Sequence, residues 1–506
     1  MPAIGTVDER YLSYNVEMAE VIGGKFWKPY TPESIAAMRA KAQAAAASVS
    51  GGPGVQLGQD TTMYQARPPI DLASARLRTL AAALGPAYVR VSGSWASSVY
   101  FHDSDAPAPR TAPKGFDGVL TRAQWRGVVG FARAANAGLT TSFAITPGVR
   151  DAAGVWTPVQ ARKLVAYTKA IGGQIAAAEF FNEPDMPTYV GAPKGYDAAA
   201  YARDHAVFVR FARAAAPGMR IVGPSSVGEG VLMPLMGGVG AIPGYVKTTD
   251  MLAAAPRPSV DVFSYHFYPA ASIRCAAMGP GAQTTPEAAL SEEWLSRADR
   301  SFAYYVAGIR DRFQPSKPVW ITELADAACG GNPWASTFLD TFRFVDDLGR
   351  LAKHSVSALF HNTLASSEYG LLDQATFAPR PNYWAALLWR RLMGTTVLDA
   401  GPSRPGLHLY AQCLRGHPGG VTLVAINTSR TEPASLDVPM AAERYTLTAP
   451  TLEDTHVQLN GRELALGAGD AIPALEGARV PAGRVALAPV SITFLTMSNA
   501  RDAACR

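Results

Sequence analysis

Two glutamates in this sequence follow apolar segments at positions where a buried strand has no use for a carboxylate. The run AAEFFNEPDM (177–186) places Glu183 between Asn182 and a proline that cannot continue a strand, and the run KPVWITE (317–323) ends at Glu323. If both carboxylates face one cleft, one can protonate a leaving oxygen while the other attacks or stabilises the anomeric carbon of a sugar. The pair therefore predicts hydrolysis of a glycosidic bond.

Other side chains at predicted strand ends would support this chemistry. The segment VDVFSYHFY (260–268) ends in His266 and Tyr268. We expect Tyr268 to hydrogen-bond Glu323 and keep it ionised, so that the two carboxyls differ in pKa as their roles demand. Asn182 is expected to donate a hydrogen bond to a sugar hydroxyl. Arg90, in the run AYVRVSG, is predicted to be structural and to orient the carboxylates from below.

Each of these residues has a simpler interpretation when it is taken alone. The tripeptide Asn-Glu-Pro can cap the start of a helix with an acid in its first turn. Glu323 can be a surface residue or half of an ion pair, and His266 can be a hydrogen-bonded core histidine. Their shared position, at strand ends of one predicted barrel, favours the catalytic interpretation.

Eight short apolar runs, each followed by residues at helical spacing, must position these side chains. Helical segments such as TRAQWRGVVGFARAANAG and ARKLVAYTKAIGG end in glycine, as helix C-termini often do. Eight such units predict a closed parallel (β/α)8 barrel with catalytic groups at the C-terminal ends of its strands. A doubly wound sheet is the competing fold, but no glycine-rich turn follows the first run. The runs are 11–18, 87–93, 139–146, 175–183, 219–224, 260–268, 317–323 and 355–362.

Two insertions and a change of sequence texture divide the chain. Residues 24–75 and 269–295 interrupt the barrel pattern after the first and sixth runs, and both are expected to wall the cleft. After about residue 395, short and partly alternating runs are separated by Gly, Pro and Asn turns, which is typical of an all-β sandwich. We therefore predict an α/β catalytic barrel over residues 1–395 and a β-sandwich domain over 396–506.

The composition is that of a soluble globular enzyme and narrows the range of partners. Hydrophobic residues make up 48% and charged residues 17%, and a net charge of +5 is spread without any Lys/Arg cluster, so no nucleic-acid partner is expected. No apolar stretch is long enough to span a bilayer, and the start MPAIGTVDER lacks the profile of a secretion signal. The four cysteines form no CxxC pair and the eight histidines show no HExxH spacing, so we predict no metal and no cofactor.

The strand-end residues, Asn-Glu on the fourth run, His-x-Tyr on the sixth and Glu on the seventh, resemble those of the retaining (β/α)8 glycoside hydrolases. Within that clan the sequence resembles glycoside hydrolase family 79, the heparanase and β-glucuronidase family. The similarity covers most of the chain, and its most specific segment is EYGLLDQATFAPRPNYWAALLWRRLMGTTVL. The other segments that carry it are LRTLAAALGPAYVRVSGS, FFNEPD, YHFY, ITELADAACGG, VQLNG and the terminal DAAC.

The resemblance implies a role for each candidate residue. Glu183 would be the general acid/base and Glu323 the nucleophile of a double displacement that retains the β configuration, with carboxyls about 5 Å apart. A C6 carboxylate would be bound by neutral donors, which do not oppose the oxocarbenium charge developing nearby. The substrate-binding residues implied are Asn182 for the 2-hydroxyl, Gly330, Gly331 and Tyr369 for the carboxylate, Glu17 and Ser94 for other hydroxyls, and His266 and Tyr268 beside the nucleophile.

The sequence also departs from the family pattern. Ala327, Ala328 and Cys329 stand where many relatives carry a tyrosine just before the glycine pair. The N-terminus begins close to the first barrel run, so we expect the extra strand that usually precedes it and joins the sandwich to be missing.

The resemblance gives the cysteines a role as well. It implies a disulfide between Cys413 and Cys505, as in the animal relatives, and Cys275 and Cys329 lie on neighbouring barrel loops where they could form a second bridge. Because disulfides persist in oxidising compartments, we expect a periplasmic or secreted protein whose signal has been removed. Four reduced cysteines in the cytoplasm are the alternative.

The function predicted from these observations is a retaining β-glucuronidase that acts on a glucuronide or a glucuronic-acid-containing glycan. Exo action is favoured because both insertions could close the cleft beyond the sugar. The alternatives are an endo-β-glucuronidase of the heparanase type, a related glycosidase with neutral-sugar specificity, and a carbohydrate-binding protein on the same scaffold. The presence of both glutamates speaks against the last, and no oligomeric state is predicted.

Overall fold

The computed structural model describes residues 1–47, 61–238, 240 and 242–506. Part of the first predicted insertion, residues 48–60, therefore lies outside the described residues. The β-strands, labelled in chain order, are β1 Ala3–Thr6, β2 Leu12–Asn15, β3 Gly24–Trp27, β4 Tyr64–Arg67, β5 Ala87–Val91, β6 Val99–His102, β7 Gly118–Thr121, β8 Ala137–Thr141, β9 Ile175–Glu179, β10 Arg220–Val227, β11 Val262–Phe267, β12 Val319–Leu324, β13 Ala358–His361, β14 Met393–Leu398, β15 Leu407–Leu414, β16 Val421–Asn427, β17 Ala434–Val438, β18 Ala442–Thr448, β19 Gln458–Leu459, β20 Arg462–Glu463, β21 Ala478–Val480, β22 Gly483–Leu487 and β23 Ser491–Met497.

The α-helices alternate with the barrel strands over the first four-fifths of the chain. A π-helical segment, Ala303–Arg310, joins two of the shorter ones. The helices are α1 Met18–Ile22, α2 Pro32–Ala47, α3 Ala75–Ala83, α4 Arg122–Ala134, α5 Val159–Ala170, α6 Ala198–Ala215, α7 Leu232–Leu235, α8 Thr248–Ala253, α9 Glu292–Leu295, α10 Arg297–Phe302, α11 Asp311–Phe313, α12 Phe338–Lys353 and α13 Pro381–Leu392. Among the described helices, none combines the length and the apolar character needed to cross a bilayer.

Eight parallel strands close into a barrel in the order β2, β5, β8, β9, β10, β11, β12 and β13. Leu359 of β13 pairs with Leu12 of β2, which completes the circle. These are the eight runs predicted from the sequence, so the predicted (β/α)8 barrel is confirmed. The fourth run differs in length, because β9 ends at Glu179 rather than at Glu183.

The interior of the barrel is filled by side chains and leaves no room for a ligand. Tyr88, Trp320 and Phe360 meet there with ring centroids 4.7 to 5.8 Å apart. Small residues such as Ala177 and Ala358 occupy the remaining positions of this cluster. A packed core of this kind confines binding to the end of the barrel, where the loops that follow the strands converge.

The helix α4 shows how the sequence builds the outer layer. Thr121 caps its start through a reciprocal capping box with Gln124. Trp125, Val128 and Phe131, at helical spacing, turn one face toward the barrel and are fully buried. The indole of Trp125 donates a 2.7 Å hydrogen bond to Thr168 of the neighbouring helix α5, which leaves no unpaired polar atom on that ring.

An antiparallel sheet follows the barrel, and its strands from the C-terminal part of the chain begin with β14 at Met393. The sheet includes β1 from the other end of the chain, with Thr6 opposite Thr396 and Ala3 opposite Leu398. The expectation that the extra N-terminal strand is missing is therefore wrong. Its four residues are largely exposed at the edge of the sheet, so no alternation of apolar residues announces them. The predicted division between residues 395 and 396 stays a prediction.

Residues on β16 face alternately in two directions, as strand geometry requires. Val424 and Ile426 belong to the large core shared with the barrel. Leu423 lies on the opposite face and packs in a separate core with Val485 of the two-stranded ribbon formed by β17 and β22. The sheet therefore lies between the barrel and this ribbon.

Candidate active site

A cavity of about 340 Å³ opens at the C-terminal ends of the barrel strands. Glu183 and Glu323 reach it from the ends of different strands, and Tyr268, Asn362 and Tyr369 line it beside them. The structure therefore brings the two predicted carboxylates together in one concave site.

Glu183 lies four residues beyond the end of β9, in the loop rather than on the strand. Its φ of 45° is in the left-handed region, which is unfavourable for a residue with a side chain and is held here by the surrounding turn. Met186 donates its backbone N–H to the Glu183 carbonyl at 3.0 Å and closes that turn. The predicted position at the rim is thus reached by a strained loop, not by a strand ending in proline.

The surroundings of Glu183 favour its protonated form. Its Oε1 lies 3.0 Å from His266 Nδ1, and the side chain is almost entirely enclosed. Burial raises the pKa of Glu183 above its ordinary value, with a smaller upward contribution from the charge of Glu323, and the His266 hydrogen bond only partly offsets them.

The surroundings of Glu323 have the opposite effect. This residue lies near the end of β12. Its carboxylate accepts a 2.7 Å hydrogen bond from Arg90 Nη1 and a 2.8 Å hydrogen bond from the Tyr268 hydroxyl. Burial alone would raise its pKa, but His266, Arg90 and the Tyr268 hydrogen bond together hold the pKa of Glu323 below its usual value. The predicted contact between Tyr268 and Glu323 is present.

The two carboxylates are close enough to act on one sugar ring. An oxygen of Glu183, an oxygen of Glu323 and a ring nitrogen of His266 all lie within 4.8 Å of one another. Retaining glycosidases place their carboxyls about 5 Å apart, whereas inverting enzymes need about 6.5–9.5 Å to admit a water between them. The spacing and the opposed pKa directions both fit a nucleophile beside a proton donor.

The same three residues, Glu183, His266 and Glu323, also have the geometry of a metal-ligand set. Arg90 Nη1 already occupies one oxygen of Glu323, and Arg90 Nη2 lies 3.4 Å from His266 Nε2. A metal cation would have to sit next to this guanidinium, and like charges in a buried site repel. The absence of a resident metal stays a prediction, and this contact supports it.

Arg90 connects the elements beneath the cavity, as the sequence suggested. It is fully buried, and it donates to Glu179 at 2.8 Å, to Asn182 Oδ1 at 2.7 Å and to Glu323. A guanidinium only donates hydrogen bonds, so the amide oxygen of Asn182 faces it and the amide NH₂ group is left to donate elsewhere. The predicted contact of Asn182 with a sugar hydroxyl stays a prediction, and this orientation leaves a donor for it.

Glu179 was missed by the sequence analysis. It is buried at the end of β9, where its carboxylate accepts hydrogen bonds from Arg90 Nη2 and from the Ser225 hydroxyl, each at 2.8 Å. Arg90 therefore pairs with two carboxylates, those of Glu179 and Glu323, and its positive charge is shared between them. A second acid four residues before Glu183 in the same apolar run was the available signal.

Glu17 and Ser94 line the cavity as expected, and Asn362 was overlooked. Asn362 Nδ2 lies 2.8 Å from the Tyr268 hydroxyl and 3.3 Å from Glu17 Oε1, so it connects the first and the last strands of the barrel. Burial and the nearby Glu323 charge raise the pKa of Glu17 to about 7.

The glycine pair predicted to bind a carboxylate adopts a backbone that favours glycine. Gly330 and Gly331 have φ values of 80° and 86°, and a Cβ on Gly331 would lie 3.1 Å from a ring carbon of Tyr369. Tyr369 in turn accepts a 3.3 Å hydrogen bond from Asn362 Nδ2. Gly330 and Tyr369 line the cavity and Gly331 lies next to both, so the three residues implied by the resemblance are neighbours, and their role stays a prediction.

Both predicted insertions contribute to the walls. The strands β3 and β4 form a hairpin on which Trp27 and Tyr64 stack with ring centroids 4.4 Å apart, and both side chains line the cavity. From the second insertion, Cys275 and Met278 line it as well.

The four cysteines form the two expected bridges, Cys275–Cys329 and Cys413–Cys505. The first joins the second insertion to the loop after β12, just before the glycine pair. The second ties β15 to the C-terminal residues of the chain.

Comparison with known proteins extends this picture. No family model matches the chain. Heparanase-like protein 1 of Arabidopsis thaliana is 26% identical over 492 residues, which cover 86% of each chain. Chicken (Gallus gallus) heparanase is 35% identical over 249 residues, and the baicalin-β-D-glucuronidase of Scutellaria baicalensis is 28% identical over 273 residues. The chain is therefore similar to heparanases, heparanase-like proteins and a β-glucuronidase.

The coverage of these relatives is uneven. The chain aligns with 46% of the length of chicken heparanase and with 50% of the length of the baicalin-β-D-glucuronidase. Solved structures with the same fold include a 4-O-α-L-rhamnosyl-β-D-glucuronidase of Fusarium oxysporum, at 13% identity and a TM-score of 0.62 over 98% of both chains. A family 51 arabinofuranosidase of Xanthomonas axonopodis has a TM-score of 0.58 at 17% identity over 98% of this chain and 97% of that one. At these identities the structures show the fold alone.

Proposed function

We propose that this chain is a retaining β-glucuronidase in which Glu183 is the general acid/base and Glu323 the nucleophile. The observation that carries the proposal is the pair of carboxylates within 4.8 Å of one another, one with a raised and one with a lowered pKa. Relatives named heparanase and baicalin-β-D-glucuronidase support the choice of a glucuronic acid linkage.

The mechanism has two steps with balanced charges. The Glu323 carboxylate attacks the anomeric carbon while the glycosidic C–O bond breaks, and Glu183 gives its proton to the departing oxygen. Glu183, now ionised, then takes a proton from water, whose oxygen displaces Glu323 from the anomeric carbon. Two inversions leave the β configuration unchanged, and both carboxyls return to their starting states.

The stereochemistry and the residue roles can be tested together. Proton NMR of the first product should show the β anomer of glucuronic acid. Glu183→Gln and Glu323→Gln should each lower kcat on a glucuronide with a poor leaving group by about 10²–10⁴-fold or more, because each removes a catalytic group. Glu229→Gln is the matched control, since Glu229 is a buried acid outside the cavity lining. Retained activity in either catalytic variant would refute the assignment.

Specificity for glucuronic acid rests on Gly330, Gly331 and Tyr369 binding the C6 carboxylate. The test is a panel of 4-nitrophenyl glycosides comparing β-glucuronide, β-glucoside, β-xyloside and α-L-arabinofuranoside. We expect the glucuronide to be preferred by about 100-fold in kcat/KM, the cost of losing one or two buried hydrogen bonds. Preference for a neutral glycoside would favour the neutral-sugar alternative.

The leaving group is proposed to be uncharged and at least partly apolar. Because the acid/base stands beside the departing oxygen, residues near Glu183 flank the leaving group, and Met186, Tyr189 and Val227 line the cavity there. Among the described residues that line the cavity there are three acids, Glu17, Glu183 and Glu323, and no Lys or Arg. Sulfated chains bind through Lys and Arg, so this lining disfavours a highly sulfated polymer as the substrate.

Exo action is proposed on the basis of the walls. Trp27 and Tyr64 from the β3–β4 hairpin and Met278 from the second insertion line the cavity, and Trp27 lies against Gly330. On a hexasaccharide with a terminal glucuronic acid, an exo enzyme releases only the monosaccharide from that end. Shorter oligosaccharides among the first products would favour the endo alternative.

A binding protein on the same scaffold remains the alternative from another class. The mouse protein named inactive heparanase-2 is 28% identical to this chain over 220 residues. Calorimetric binding of D-glucuronic acid without turnover of any aryl glycoside would favour this alternative. The opposed pKa directions of the two glutamates support the enzyme.

We also propose that the protein works in an oxidising compartment, periplasmic or extracellular. Both bridges join segments distant in the chain, with sequence separations of 54 and 92 residues. Thiol titration of protein taken directly from its source should find no free thiol before reduction. Four free thiols would support a cytoplasmic location instead.

A further inference from the structure

Arg274, in the second insertion, is a buried arginine whose guanidinium faces backbone carbonyls rather than the cavity. The residue is only 4% exposed. Its Nη1 lies 3.4 Å from the carbonyl oxygen of Cys329, 3.2 Å from that of Gly330 and 3.3 Å from that of Gly331. One cation thus contacts three successive carbonyls of the loop that carries the glycine pair.

These contacts fix the direction in which the glycine amides point. In a trans peptide the C=O and the N–H of the next residue lie on opposite sides of the chain. The carbonyls of Cys329 and Gly330 face the guanidinium, so the N–H groups of Gly330 and Gly331 face away from it. Gly330 is one of the residues that line the cavity, whereas Arg274 is not.

Arg274 is itself held from several directions. Its Nη2 donates to the Lys28 carbonyl at 2.7 Å and to Glu368 at 3.1 Å, and the ring of Tyr30 lies 3.7 Å from the centre of the guanidinium. The next residue, Cys275, is bonded to Cys329, which immediately precedes the glycine pair. The arginine and the disulfide therefore tie the same two loops together.

We propose that Arg274, fastened by the Cys275–Cys329 bridge, is the positioning residue that aims the glycine amides at the substrate's carboxylate. This inference rests on the proposed β-glucuronidase function. Arg274 binds no substrate atom, and its effect passes through the backbone it holds. Lysine cannot replace it, because an ammonium group lacks the planar fork that reaches several acceptors at once.

The test compares a uronate with its neutral counterpart. For Arg274→Met and Arg274→Lys, kcat/KM on 4-nitrophenyl β-D-glucuronide should fall by about 10²-fold, as when a preorganised backbone donor is lost. The loss should lie mainly in KM, and slow turnover of the β-glucoside should change by less than about threefold. Calorimetric binding of D-glucuronic acid to a Glu323→Gln background should weaken in parallel.

Arg297→Met is the matched control. Arg297 lies just beyond the same insertion, is also buried, and donates hydrogen bonds to the Pro269 carbonyl at 2.7 Å and to Glu293, not to the glycine pair. It should leave the ratio of glucuronide to glucoside activity unchanged, and thermal melts of all variants report whether they fold.

The disulfide supplies a second and independent test. The double variant Cys275→Ser, Cys329→Ser should show the same selective rise in KM for the glucuronide, but a smaller rise than the Arg274 variants show. If the Arg274 variants fold and keep the wild-type ratio of glucuronide to glucoside activity, the inference is wrong while the proposed function stands. If the wild type itself does not prefer the glucuronide, the proposed function fails first.

Discussion

The two glutamates of the cavity differ because their neighbours differ. Glu323 accepts hydrogen bonds from a guanidinium and a phenol, whereas Glu183 contacts one imidazole in an almost closed pocket. In such an enclosure the charged form of a carboxyl is disfavoured unless donors compensate for the lost water. The assignment of roles follows from this count of donors rather than from the order of the residues in the chain.

Tyr268→Phe tests the donor count at Glu323. Removing the hydroxyl removes one hydrogen bond that stabilises the ionised form, so the pKa of Glu323 rises. A nucleophile must be ionised, so the acidic limb of the pH profile of kcat/KM should move to higher pH, with about 10-fold lower activity at its optimum. Tyr265→Phe is the control, because this tyrosine lies three residues earlier, on β11, and its hydroxyl has no hydrogen-bond partner among the described residues. An unmoved acidic limb in Tyr268→Phe would contradict the account.

Glu17→Gln tests a second titration in the same cavity. The pKa of Glu17 is raised to about 7, so the side chain is neutral below that pH and negative above it. A negative Glu17 repels a uronate, and we therefore expect KM for the glucuronide to rise as the pH increases from 6 to 8. The rise should be absent in Glu17→Gln and in wild-type turnover of the β-glucoside. Equal pH dependence of KM in both proteins would show that Glu17 is not responsible.

Residue chemistry was the easiest part of the site to predict. Glu183, Glu323, His266 and Tyr268 could be placed because they lie at the ends of apolar runs that mark the barrel strands, although Glu183 lies in the loop beyond its strand. Glu179 and Asn362 could not, because their importance lies in partners far away in the chain, Arg90 at 2.8 Å and Tyr268 at 2.8 Å. A residue that only connects others leaves no pattern of its own in a single sequence.

At the scale of elements, the loop after β12 depends on glycine at one position for two separate reasons. Gly330 has a φ of 80°, and a Cβ there would lie 2.6 Å from Trp27 Cδ1 on the β3–β4 hairpin. Trp27 is stacked on Tyr64, so the indole cannot move away without disturbing the hairpin. The hairpin and the loop therefore fit together only without a side chain at this point.

Gly330→Ala should accordingly damage activity more than backbone strain alone can explain. Gly154→Ala is the matched control, since Gly154 has a φ of 74° and open space where its Cβ would lie. Both should lose about 1 kcal/mol of stability from strain. Only Gly330→Ala should also lower kcat/KM on the glucuronide, by about 10-fold or more, measured beside thermal melts of both variants. Equal activity in the two variants would show that Trp27 yields freely.

The elements themselves were predicted unequally. The eight barrel strands follow from apolar runs that are buried on both faces, a signal that needs no partner to be recognised. The strand β1 gives no such signal, because its residues are mostly exposed and its place depends on β14, about 390 residues further along the chain. The β3–β4 hairpin was recognised only as an insertion, since part of the connection between its strands lies in a segment without periodicity.

At the scale of the whole molecule, a buried polar network joins the barrel to the sheet. His408 of β15 lies 2.6 Å from Asp346 of α12 and 3.1 Å from Glu292 of α9, with Arg350 at 3.5 Å. Burial alone would lower the pKa of His408, but the hydrogen bond and the charges of the two acids raise it above its ordinary value. The contact between barrel and sheet is therefore strongest when this histidine is protonated.

The network predicts how stability depends on pH. A folded-state pKa above the unfolded value gives a contribution that is complete below about pH 6.5, the unfolded pKa, and is lost as the pH rises through the folded pKa. The Tm of the wild type should therefore fall, relative to that of His408→Gln, as the pH increases above 6.5. Calorimetry between pH 5 and 9 measures the difference. His417→Gln, on an exposed turn, should follow the wild type, and a His408→Gln curve parallel to the wild type would rule the network out.

The pairing of β1 with β14 also bears on how the protein is made. Thr6 leaves the ribosome about 390 residues before Thr396, its partner in the sheet, and at about 5–20 residues per second that interval lasts roughly 20–80 s. Throughout it the nascent chain carries a strand without its neighbour, however much of the barrel has formed. A polypeptide released before β14 is complete therefore cannot pair its first strand, and β1 stays at the edge of a sheet that has not formed.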